Sequence, residues 1–193
     1  GGDHRGQGVL QHPRSVEEIT MMKDTVAGEM NRQINRELFS AYLYLSMASW
    51  FESQGLSGFS NWMRIQAQEE RDHAMGFFNH MLERGAGVTL EAVEKPESRW
   101  DSTLAAFHAV LAHERFITES IDNLLETAQS ARDHASANFI QWYVAEQVEE
   151  EANAEAIIQK LQLVDRSGGG GLFMLDRELA ARTYTPAAIL AGE

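Results

Sequence analysis

The sequence has 193 residues, 44% of them hydrophobic and 23% charged, with a formal net charge of −13 and no cysteine. This length and balance describe one soluble globular domain with a buried core, and the acidic excess argues against nucleic acid or an anionic membrane as main partner. The missing cysteine excludes disulfides, thiolate metal sites and cysteine nucleophiles. No apolar run approaches the ~20 residues that a membrane span needs. The opening GGDHRGQGVLQHPRSVEEIT also lacks the apolar core of a secretion signal, so the cytoplasm is the expected location.

In chain order, residues 1–20 are rich in Gly, His and Arg, show no periodicity, and read as a flexible arm or tag-like extension ahead of Met21 and Met22. Helical periodicity then predicts helices over 23–52, 57–84, 101–128 and 134–161, making residues 21–165 a four-helix unit. Ser57 is the expected N-cap of the second helix, Asp101 or Ser102 of the third and Asp133 of the fourth, while Gly85 and Gly87 close the second. Residues 166–193 read as a Gly-rich hinge (SGGGG, 167–171), a short fifth helix near 174–183, and a tail.

The connections suggest topology. Short turns join helices one to two and three to four, giving two antiparallel hairpins. The linker between the hairpins, GAGVTLEAVEKPESRW, is long enough when extended at about 3.3 Å per residue to run the ~40 Å length of such helices. A long crossover is therefore expected, with a simple up-down bundle and loose middle loop as the alternative.

Each predicted helix carries an apolar stripe at 3–4 spacing, and each stripe has polar groups near its middle. The first gives Met30, Ile34, Glu37, Ala41, Tyr44; the second Phe59, Met63, Gln66, Glu70, His73, Phe77; the third Leu111, Glu114, Thr118, Ile121; the fourth Tyr143, Gln147, Glu150, Ala154. Mid-helix positions of antiparallel helices meet at one height, so Glu37, Glu70, His73, Glu114, Gln147 and Glu150 should converge. Buried carboxylates without partners cost several kcal/mol each or neutralise by taking protons. The stripes offer no Lys or Arg, whereas cations held by oxygen and one imidazole nitrogen remove the problem. That donor set suits Fe, Mn or Zn, with Glu70 as the natural bridge of a metal pair. A lone helical Glu is ordinarily a solvated charge. Four helices interrupted at one level are poorly explained that way. Tyr44 lies one layer from Glu37, where a core Tyr is the default and donation of a hydrogen bond or an electron is the functional reading.

The stretches NRELFSAYLY (35–44), QEERDH (68–73), AHERFIT (112–118), NFIQWYVAEQVEEE (138–151) and SGGGGLFMLDREL (167–179) are long, ordered and consistently spaced. On them, the chain from about Met21 to Glu178 resembles the bacterial non-haem ferritins. The resemblance implies an all-α, ferritin-like four-helix bundle with a long crossover between helices two and three and a short C-terminal fifth helix. It further implies iron storage and detoxification in a homo-oligomeric cage of 24 subunits, with a ferroxidase that oxidises Fe(II) using O2 or peroxide. By position, Glu37, Glu70 and His73 would hold one iron, and Glu70, Glu114 and Glu150 the second, with Gln147 close by. Glu69, Glu146, Glu149 and Glu150 match a third iron position, and Tyr44 the tyrosine beside the centre. Haem is not expected, because Arg71 stands where haem-binding relatives carry Met, and Gln147-Val148-Glu149-Glu150 lacks their second His. The alternatives are a stand-alone di-iron carboxylate oxidase or oxygenase without mineral storage, and a structural bundle with vestigial sites.

Overall fold

The computed structural model describes residues 21–167 and 170–191. The arm expected over residues 1–20 lies outside the described residues. The described chain is all helical: α1 (Asp24–Ser53), α2 (Ser57–Glu83), α3 (Thr103–Ser130), α4 (His134–Ser167), α5 (Gly171–Ala180) and a 3-10 turn (Ala188–Leu190). No helix among the described residues is long and apolar enough to cross a membrane.

Three helix ends close in the same way. Leu56 N–H donates to the Phe51 carbonyl across Gly55 (φ 75°), Ala86 to Met81 across Gly85 (φ 72°), and Asp133 to Ala128 across Arg132 (φ 57°). Glycine takes the left-handed conformation without steric cost, and Arg132 is the one non-glycine residue to do so among the described residues. The predicted caps Ser102 and Asp133 accept from Ala105 N–H at 3.0 Å and Ser136 N–H at 3.1 Å.

Ser57 does not cap α2. Leu56 occupies the cap position without a side-chain bond, and the Phe59 N–H is satisfied from outside by Asp176 Oδ1 of α5 at 3.0 Å. Gly58 permits this approach, since a Cβ there would strike the Asp176 backbone carbonyl. Helix α5 also starts three residues earlier than its sequence pattern suggests, directly after the left-handed Gly170 (φ 85°).

The crossover is long and ordered along α1. It leaves α2 beside the start of α1, where Met22 N–H donates to Arg84 O, and ends with Trp100 edge-on to Trp50 near the end of α1. Between these points Asn31 brackets Thr89 with two bonds, its Nδ2 donating to the carbonyl and its Oδ1 accepting from the N–H. Asn35 donates to Ala92 O, and Ser46 to Glu97 O. The linker thus climbs the full length of α1 and delivers α3 at the opposite end, antiparallel to α1.

The apolar interior falls into two clusters. One holds Tyr44, Phe51, Phe59, Trp62, Met63, Phe107, Ile157 and Leu161 at the end covered by α5; the other holds Met30, Ile34, Phe77, Met81, Ile117, Ile121, Ile140 and Tyr143 at the far end. A layer of buried polar side chains separates them: Glu37, Gln66, Glu70, His73, Glu114, Gln147 and Glu150.

Candidate metal centre

This polar layer is built from the middle of each long helix. Glu37 comes from α1, Glu70 and His73 from adjacent positions one turn apart on α2, Glu114 from α3, and Gln147 and Glu150 from α4. Glu37, His73 and Glu114 are each 1% exposed, Glu70 2% and Glu150 5%, so bulk water cannot solvate their charges. Among the described residues no Lys or Arg forms an ion pair with any of these four carboxylates.

Two groupings of ligand atoms emerge. Atoms of Glu37, Glu70 and His73 all lie within 4.8 Å of one another, and so do atoms of His73, Glu146 and Glu150. His73 Nδ1 stands 3.3 Å from Glu70 Oε2 and 4.0 Å from Glu37 Oε2. Glu37 Oε2 and His73 Nε2 are buried with no hydrogen-bond partner, although such orphaned atoms are rare in protein interiors. An oxygen-rich set with one imidazole and unsatisfied lone pairs fits a cation of the iron, manganese or zinc type.

Neighbouring donors fix the other oxygens. Gln33 Nε2 donates to Glu37 Oε1 at 2.7 Å, and Gln66 Nε2 to Glu150 Oε2 at 2.9 Å. Tyr44, fully buried, donates its hydroxyl to Glu114 Oε1. Gln147 Nε2 lies 3.2 Å from Glu114 Oε2 and 3.3 Å from Thr118 Oγ1, so its amide braces Glu114. Tyr143 donates to the His73 backbone carbonyl at 2.8 Å, and Trp142 meets the imidazole edge-on at 5.5 Å. Gln33, Gln66 and Tyr143 escape a search for ligands because none need touch a cation. The usable signal is their spacing: Gln33 and Gln66 each stand four residues before a glutamate of the cluster, on the same helix face.

Burial and mutual repulsion set the protonation of the layer. Glu70 is pushed well above the usual carboxylate range, first by burial and then by Glu114, Glu37 and Glu150. Burial, with the charge of Glu114 second, raises Glu150 to about 8. Glu114 is raised by burial despite the hydrogen bonds from Tyr44 and Gln147, and the Tyr44 phenol is held protonated by burial and the adjacent glutamates. Without a cation, protons must take its place.

The third iron position suggested by Glu69, Glu146, Glu149 and Glu150 is only partly drawn together. Glu146 and Glu150 share a grouping with His73, Glu149 is exposed, and Glu69 turns instead to Arg182, 2.6 Å away.

Four long helices with a long crossover and a carboxylate-rich layer at mid-height define a helical bundle whose core side chains could hold a metal between the helices. The family model for the ferritin-like domain matches residues 27–164, and the chain belongs to that family. It is 36% identical over 162 residues to the bacterial non-heme ferritin of Bacteroides fragilis, covering 84% of this chain and 100% of that protein. To the bacterial non-heme ferritin of Campylobacter jejuni it is 39% identical over 157 residues, covering 81% and 93%. Among solved structures, it matches the open-pore ferritin of the hyperthermophilic archaeon Archaeoglobus fulgidus at 54% identity and TM-score 0.82, covering 84% of this chain and 99% of that one. An engineered closed form of that ferritin matches with TM-score 0.83.

Proposed function

We propose that this protein is a ferroxidase and iron store, taking Fe(II) as substrate at the polar layer and passing Fe(III) on to a mineral inside an assembly of its own copies. The observation that carries the reading is a layer of four buried glutamates with no Lys or Arg partner among the described residues, in which ligand atoms of Glu37, Glu70 and His73 form one grouping and Glu150 joins His73 in another. Ferritin names among the relatives support the same direction.

In this reading Glu37, Glu70 and His73 hold one iron and Glu70, Glu114 and Glu150 the other, with Glu70 shared. The cations compete with protons for the raised carboxyls, Glu150 above all, so binding releases protons. Carboxylate oxygens favour Fe(III) over Fe(II), which lowers the potential and drives oxidation. Two Fe(II) ions give one electron each to O2, which takes two protons and leaves as hydrogen peroxide. With peroxide as oxidant, the same two electrons and two protons yield two waters. Tyr44 donates a hydrogen bond to Glu114 and orients it. Gln147 braces Glu114 without adding a charge, leaving the second iron more weakly held and able to leave towards Glu146 and Glu149.

Storage requires a closed shell of identical subunits. Exposed Tyr42, Leu45, Leu82, Phe116, Leu163, Phe173 and Met174 supply apolar surface for contacts between copies. The proposed assembly has 24 subunits of 21.6 kDa, and light scattering after size exclusion measures it directly. A monomer or dimer that oxidises Fe(II) would favour the stand-alone oxidase. Stopped-flow oxidation of Fe(II) tests the chemistry: Glu70→Ala and His73→Ala abolish the fast phase while assembly persists. Equal rates in variant and wild type would contradict the site.

A further inference from the structure

The segment after α5 does not trail away. It turns back along α2 and is fastened to it at successive turns of that helix. Asn61 donates to the carbonyls of Leu179 and Arg182 at 3.2 and 3.1 Å. Asp72 Oδ2 accepts from the Tyr184 hydroxyl at 2.6 Å and the Ala187 N–H at 3.0 Å, and the Ile189 side chain lies over Gly76. Asp72 is left only 4% exposed beneath this strap.

Arg182 is its most heavily bonded residue. One guanidinium nitrogen donates to Glu69 Oε2 and to Gln66 Oε1, each at 2.6 Å; the other donates to the Trp62 carbonyl at 3.3 Å, and the group sits 4.8 Å over the Trp62 ring. Gln66 is fully buried and passes its own amide N–H to Glu150. Arg182 therefore touches the centre twice at one remove. It fixes which way the Gln66 amide faces, and it neutralises the glutamate next in sequence to Glu70.

We propose that Arg182 is a tethered counter-cation that keeps Glu69 out of the metal cluster, so that the resting subunit takes two cations and a third only when this arginine leaves. The ligand grouping supports it: His73, Glu146 and Glu150 converge, whereas Glu69, half-buried and beside them on α2, is already bonded to a cation of the chain itself. A guanidinium cannot lose its proton, so only a competing cation or movement of the strap frees Glu69. The tail thereby sets the metal capacity of the subunit as a positioning element. The inference rests on the two-cation reading of the polar layer.

Zinc tests it without turnover, since zinc is redox-inert and accepts the same donors. Anomalous diffraction at the zinc edge from soaked crystals of wild type, Arg182→Ala and Arg182→Lys counts and places the ions. Two zinc ions are expected in the polar layer of the wild type and of Arg182→Lys, which keeps the charge. In Arg182→Ala a third is expected on Glu69 and Glu146, with affinity raised on the order of 10- to 100-fold, the worth of a charge-assisted hydrogen bond. Adding Glu69→Gln to Arg182→Ala should abolish that third ion. Two ions in both wild type and Arg182→Ala would overturn the inference and leave the paired centre standing. A third ion in the wild type with Arg182 still on Glu69 would overturn it likewise, and no zinc within the bundle of any variant would overturn both.

Discussion

Tyr143 of α4 donates its hydroxyl to the backbone carbonyl of His73 on α2, and it reaches that carbonyl through space that Gly76 leaves open. A Cβ on Gly76 would meet the Tyr143 oxygen itself, with the Ile189 side chain next nearest. Gly76→Ala should therefore destabilise the protein by about 1–3 kcal/mol, the usual cost of overpacking, despite alanine's better helix propensity. Thermal unfolding measures it. Tyr143→Phe, which loses only the hydrogen bond, should cost about 1 kcal/mol.

Function and stability oppose each other at Glu70. Its carboxyl is buried among three others and raised by them, so it burdens the metal-free fold. Glu70→Gln should raise metal-free stability by about 1–3 kcal/mol at neutral pH, because the buried carboxyl must take up a proton that the unfolded chain does not hold, whereas an amide of the same shape needs none. The same change should weaken divalent-metal binding at mid-bundle at least roughly tenfold, since an amide is a poor substitute for a bridging carboxylate. Calorimetric unfolding and metal titration read the two effects on one variant.

The raised Glu150 carboxyl makes a signed prediction. Its value of about 8 in the fold exceeds the ordinary 4.5, so between those limits the native state holds a proton that the unfolded chain has lost. The stabilising contribution is complete below pH 4.5 and is lost as pH rises through 8. Metal-free wild type should thus lose stability relative to Glu150→Gln between pH 5 and 8. Metal binding should strengthen over the same interval and release protons, measurable by calorimetry in buffers of different ionisation enthalpy.

His113 has the opposite sign. Burial lowers it from 6.5 to about 4, with Ser40 Oγ 2.7 Å from its Nε2. The unfolded chain binds a proton in that window that the native state refuses, so stability is present above pH 6.5 and lost as pH falls to 4. Relative to His113→Gln, wild type should lose up to about 3 kcal/mol between pH 6.5 and 4. Denaturant midpoints at the two pH values check it.

The four long helices and the crossover were legible because local physics sets them. Apolar spacing marks the helices, glycines mark two of their ends, and sixteen linker residues are enough to climb α1. The convergence of Glu37, Glu70, His73, Glu114, Gln147 and Glu150 followed from counting to the middle of each stripe. What stayed hidden was tertiary. The cap on α2 comes from Asp176, far along the chain, so Ser57 was a reasonable local reading that lost to a distant carboxylate. Tyr143 stands in the apolar stripe of its helix and stacks on Phe77 at 3.9 Å, yet its hydroxyl also holds the backbone of His73. Beyond the fifth helix the sequence reads only as a tail. Its place on α2 is fixed by individual bonds to Asn61, Gln66, Glu69 and Asp72, which no sequence pattern announces.

The most direct test is anomalous diffraction at the iron edge from crystals soaked anaerobically in Fe(II). Two peaks per subunit should appear inside the bundle, one among Glu37, Glu70 and His73 and one among Glu70, Glu114 and Glu150, both absent in Glu70→Ala. Iron confined to surface carboxylates, with the buried layer left empty at saturating Fe(II), would contradict the assignment of this layer as the place where iron is taken and oxidised.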